Sequence, residues 1–179
     1  MTRLTTASFA LGATREGANA SLNFIEDIGH YIYSGDTALH FAAASYRREM
    51  VDRLIQAGAH IRAKNRRGSE PLHAAAFRNR GSHGWDPVAQ AATIARLIAA
   101  GAYPNAHNVD GATPLHRAVR TRCAGAGRSL LNHGAALAIR NKNGSTALQL
   151  ALRTTGRSGS GSPEAKAQQQ EILLFLQAR

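Results

Sequence analysis

Gly111-Ala112-Thr113-Pro114-Leu115-His116 decides the fold, because the same phrase occurs four times along the chain. It returns as Gly35-Asp36-Thr37-Ala38-Leu39-His40, as Gly68-Ser69-Glu70-Pro71-Leu72-His73 and as Gly144-Ser145-Thr146-Ala147-Leu148-Gln149. From leucine to leucine the steps are 33, 43 and 33 residues, so one period holds with ten residues inserted in the second unit. Glycine supplies the positive φ of a tight turn, threonine caps the helix that follows, and alanine or proline suits its first turn. A second signal recurs downstream: Leu54-Ile55 before Gly58-Ala59, Leu97-Ile98 before Gly101-Ala102, and Leu130-Leu131 before Gly134-Ala135. Each pair faces a core from a second helix, which its glycine ends in the left-handed conformation.

These phrases and their period resemble the ankyrin repeat, a β-turn followed by two antiparallel helices. The resemblance implies an all-α solenoid of helix–turn–helix units joined by β-turn fingers. Four repeats at about 34–64, 65–107, 108–140 and 141–179 form one continuous domain behind an N-terminal segment and helical cap, 1–33. It also implies that His40, His73 and His116 form a ladder, each imidazole bonding to backbone and a threonine hydroxyl. A metal cluster is the rival reading, but one histidine per repeat, stacked about 10 Å apart, is too sparse for shared coordination. Three departures stand out: Glu70 in place of threonine, Gln149 in place of histidine, and Cys123-Ala124-Gly125-Ala126-Gly127 opening a second helix. Two glycines there cost about 1 kcal/mol each against alanine, so that helix is locally soft unless a neighbour packs closely on it.

The cap is read over Ala20 to Tyr33, where Leu22, Ile25 and Ile28 recur at helical spacing before Gly29. Thr5 to Ala13 fits a first cap helix. The alternative is a secretory signal, with Arg3 ahead of the run and Ala18-Asn19-Ala20 as a cleavage-like site. No apolar stretch is long enough to span a bilayer. The single cysteine, Cys123, cannot form an internal disulfide, which agrees with a reducing cytoplasmic setting. Arg120 and Arg122 beside it would lower a thiol pKa, but no histidine and acid complete a nucleophilic site.

Charge is the other informative feature. The formal net charge is +11, and residues 62–157 carry 15 Lys and Arg against Glu70, Asp86 and Asp110. The remainder is close to neutral, so the basic block implies an acidic partner, an anionic ligand or nucleic acid. The resemblance implies binding through turn tips and first helices, which line a concave groove. The candidate positions there are Tyr33, Lys64, Arg66, Arg67, Phe77, Arg78, His107, Arg120, Arg140, Lys142 and Arg153. Basic side chains beside two aromatic anchors favour a protein partner with an acidic surface. Nucleic acid is the competitor: a basic stripe binds it without any motif, although few aromatics are interleaved for base stacking. The expected function is therefore a non-enzymatic binding module that needs no cofactor and works as a monomer. The eleven acidic residues show no paired arrangement for acid–base chemistry.

Insertions interrupt units two and four between first and second helix, and they end in Asp86-Pro87 and Ser162-Pro163, a helix-start signature. Second helices are expected from Pro87 to about Ala100 and from Pro163 to about Ala178. The glycine-serine loop of unit four has the ingredients of an anion site in Gly156, Arg157, Ser158 and Ser160, with Arg80 and Arg122 on the same edge. It matches neither a Walker loop nor a dinucleotide fingerprint, and a flexible linker is the competing reading.

Overall fold

The computed structural model describes residues 23–25, 30–77, 86–156 and 163–178. Among them run eight helices: α1 (Ala38–Ala44), α2 (Arg48–Gln56), α3 (Pro71–Ala75), α4 (Pro87–Ala99), α5 (Pro114–Arg120), α6 (Ala124–Asn132), α7 (Ala147–Gly156) and α8 (Pro163–Gln177). Odd-numbered helices pack on odd and even on even, giving an inner and an outer layer of stacked pairs. Leu39, Leu72 and Leu115 of the repeated phrase are buried between the layers, and Val51, Leu97 and Leu130 meet them from the outer helices. A pair this short cannot bury its apolar faces alone, so each unit completes its neighbour's core. Gly58, Gly101 and Gly134 end the outer helices at φ of 80°, 101° and 87°, as the repeated Gly-Ala signal predicts.

Backbone hydrogen bonds join finger to finger. Arg66 N donates to Ser34 O at 2.7 Å, Val109 N to Arg67 O at 2.9 Å, and Lys142 N to Asp110 O at 2.9 Å. Gly111 shows why this requires glycine: its φ is 68°, and a Cβ there would lie 3.0 Å from Lys142 N of the next finger. The second, third and fourth fingers are each braced by an asparagine outside the repeated phrase. Asn65 Oδ1 accepts from Arg67 N and Ser69 N, Asn108 Oδ1 from Asp110 N and Ala112 N, and Asn141 Oδ1 from Asn143 N and Ser145 N.

The histidine ladder is present. His40, His73 and His116 each accept at Nδ1 from the N-cap backbone of their own helix, at 3.1, 3.1 and 3.2 Å. Each Nε2–H then donates across to the next unit, to Ser69 O, Ala112 O and Ser145 O at 2.9, 3.1 and 3.0 Å. Both ring nitrogens are committed, which fixes the neutral Nε2–H tautomer and leaves no lone pair for a metal. Gln149 keeps half of the pattern, its Oε1 accepting from Thr146 N at 3.0 Å.

The insertion units keep long outer helices by a common device. Asp86 caps α4 by accepting from Val88 N and Ala89 N, with Pro87 at the first turn. Buried Gln90 then donates its amide to Ala75 O of α3 at 2.8 Å, and buried Gln169 of α8 donates to Ala151 O of α7 at 2.7 Å. Both satisfy a carbonyl on the paired inner helix that water does not reach.

The glycine-rich start of α6 is packed tightly, which resolves the expected softness. A Cβ on Gly127 would sit 2.9 Å from Phe175 Cζ of α8, whereas one on Gly125 meets nothing nearer than Pro87 at 3.8 Å. Gly125→Ala is therefore expected to stabilise by about 1 kcal/mol through helix propensity, while Gly127→Ala loses that gain by displacing the ring. Equal shifts of the urea midpoint in the two variants would contradict this packing.

The N-terminal cap differs from expectation. Two segments expected to be helical are strands: β1 (Asn23–Ile25) and β2 (His30–Ile32) pair antiparallel, Phe24 opposite Tyr31. Spacing by three fits a helix, but Phe, Tyr and Ile are strand formers, and the short segments leave room only for a local pairing. The expected cap helix or signal at 5–13 lies outside the described residues.

Candidate functional site

The inner helices and the finger tips bring Tyr33, Arg67, Phe77 and Arg120 toward a side chain that the sequence reading missed, Arg117. Its guanidinium lies over the Phe77 ring, 5.4 Å from the centroid, with Nη1 3.4 Å from Ser69 Oγ. Burial lowers its pKa to about 10, helped by the like charges of Arg120 and Arg67, so it stays protonated at neutral pH. A signal did exist: Arg117 precedes Arg120 by three residues on α5, which places both on one face. Alongside, Arg67 lies over the Tyr33 ring at 5.6 Å and reaches Asp110 Oδ2 at 3.2 Å. Two arginines are thus held by stacking on aromatic rings, an arrangement in which the planar guanidinium keeps its orientation.

The other predicted groove residues divide. Arg66, Arg120 and Lys142 are exposed on the fingers and α5. His107 Nδ1 donates to Gly111 O at 3.2 Å and Arg140 Nη1 to Gly144 O at 2.6 Å, so both partly serve their own fingers. Arg153 Nη1 donates to Ser145 Oγ at 3.0 Å. Lys64 is placed elsewhere, in a cleft it shares with Gly101 at the end of outer helix α4. Arg78, Arg80, Arg157, Ser158 and Ser160 lie outside the described residues, as does Trp85, while Gly156 ends α7.

Arg122 corrects the expected anion-binding edge. It takes the left-handed conformation, φ 56°, at the bend between α5 and α6, and its side chain is 6% exposed. The bend turns it inward, so it cannot present a guanidinium to a ligand on that edge. Cys123 beside it is fully buried and offers no reactive thiol to solvent.

Two family models match the chain: ankyrin repeats (3 copies) over residues 10–83 and ankyrin repeats (many copies) over residues 97–151. The chain belongs to the ankyrin repeat family. Ankyrin repeats mediate protein–protein interaction, typically as non-enzymatic modules. No curated protein matches the sequence. Among the described residues of this ankyrin repeat protein, no helix is long and apolar enough to cross a membrane.

Proposed function

We propose that this ankyrin repeat protein is a cytoplasmic, monomeric binding module whose concave groove engages an acidic protein surface. The stacked pairs Arg117 on Phe77 and Arg67 on Tyr33 carry the reading. A preoriented guanidinium loses little side-chain freedom when it takes a carboxylate in bidentate fashion, so the ordering cost of binding is partly met in the free protein. Exposed Arg66, Arg120 and Lys142 would add long-range attraction and speed association. The same geometry disfavours nucleic acid, because the rings a base would stack on are already covered by guanidinium groups.

Immobilised protein should capture an acidic partner from a nuclease-treated native lysate. Reversing Arg66, Arg120 and Lys142 to glutamate is expected to abolish capture with the thermal midpoint hardly moved, since all three are exposed. Reversing Arg48 and Arg53 on outer helix α2 should leave capture intact. Equal loss from both sets would exclude the groove, and capture that disappears on nuclease treatment would point to nucleic acid instead.

A further inference from the structure

Between the end of α4 and the start of α3 lies an open cleft of about 380 Å³, lined by His60, Ile61, Arg62, Lys64, Glu70 and Gly101. Glu70 stands where the first, third and fourth units have threonine, and its side chain is only 1% exposed. Neither of its carboxyl oxygens accepts a close hydrogen bond: His73 N faces it only loosely in the capping box of α3, and Arg62 Nε remains 3.6 Å away. Arg62 itself is half exposed and lies over the Tyr103 ring at 5.8 Å, so it is held at the rim rather than drawn down onto the acid. Burial raises the Glu70 pKa against the charges of Arg62, Lys64 and His60. A buried carboxyl whose donors stay at long range is a costly feature to keep in a repeat whose usual residue is threonine.

The lining defines its complement. Arg62 and Lys64 offer donors and positive charge, which call for an anion, while Glu70 offers acceptor oxygens that lack a close donor. A bare cation would sit against Arg62 and Lys64, and a bare anion would leave Glu70 unanswered. We propose that this cleft binds a small hydroxylated phosphate ester, its phosphate on Arg62 and Lys64 and a hydroxyl donating to Glu70. The site shares no residue with the stacked pairs Arg117–Phe77 and Arg67–Tyr33 and does not depend on what they bind.

Titration of the whole protein with glycerol 3-phosphate, followed by amide chemical shifts, tests the assignment. Saturable shifts centred on residues 60–64, Glu70 and Gly101 are expected. Inorganic phosphate should bind more weakly, and glycerol alone should not bind. Glu70→Thr and Lys64→Gln should each weaken the ester by about tenfold or more, the effect of one charge-assisted hydrogen bond. Glu70→Thr should leave the affinity for inorganic phosphate nearly unchanged, and Arg67→Gln in the groove should change neither. No saturation up to tens of millimolar, shifts centred on the groove, or equal affinity for the ester and inorganic phosphate would each overturn the proposal.

Discussion

Lowering the pH from 7.5 to 5 is expected to cost this fold about 2 kcal/mol or more, because the ladder that ties its units together requires neutral histidines. Burial lowers the pKa of His73 from 6.5 to about 3, and burial also lowers those of His40 and His116. The sign follows from linkage. A histidine whose folded pKa is depressed binds its proton more readily in the unfolded chain, so stability is full above about pH 6.5 and falls as the pH drops toward the folded value. For His73 alone the loss at pH 5 is about 2 kcal/mol, and the other two add to it. Glu70 acts in the opposite sense, since its pKa is raised by burial and protonation relieves it as the pH falls. Urea unfolding at pH 7.5 and 5 measures the difference, and His73→Gln should lower stability at pH 7.5 while flattening its dependence on pH. Equal stability at the two pH values would mean that the ladder accepts protons without breaking.

The stacking was legible because its signals are local and repeated. Gly111, Thr113, Pro114, Leu115 and His116 each state one requirement of a turn, a cap or a core, and recurrence at a fixed period removes the ambiguity of a single copy. Asn65, Asn108 and Asn141 recur at the same period and were overlooked, since asparagine in a turn is common and its bonds to backbone leave no mark on hydropathy. The paired strands at the N-terminus were misread for a physical reason. Leu22, Ile25 and Ile28 satisfy helical spacing, and three-residue strands are too short to show alternation. Among the candidate partner-binding positions, charge and exposure were readable for Arg66, Arg120 and Lys142. The inward turn of Arg122 was not, because it depends on a left-handed residue that is not glycine. Arg117 over Phe77 joins residues forty positions apart across the second unit's insertion, a contact that no local pattern announces.

Replacing Glu70 with threonine is expected to stabilise the protein by about 1 kcal/mol, because the buried carboxyl has only the loose capping-box contact with His73 N and Arg62 Nε at 3.6 Å. The third unit shows what the substitution would restore. Thr113 Oγ1 accepts from His116 N at 3.4 Å and lies 2.8 Å from His116 Nδ1. Threonine at position 70 would place the same hydroxyl beside His73, while Arg62, half exposed, would lose its weak ion pair at little cost. The gain should depend on pH. With its folded pKa raised, Glu70 is least unfavourable below its unfolded value of 4.5 and becomes more so as the pH rises through the folded value. The advantage of Glu70→Thr should therefore be larger at pH 8 than at pH 4, as read from urea midpoints of the two proteins. A threonine variant no more stable than the parent at pH 8 would mean that Arg62 closes on the acid in solution. If the gain is found together with loss of ester binding, the second unit carries an acid that weakens the fold and serves a ligand.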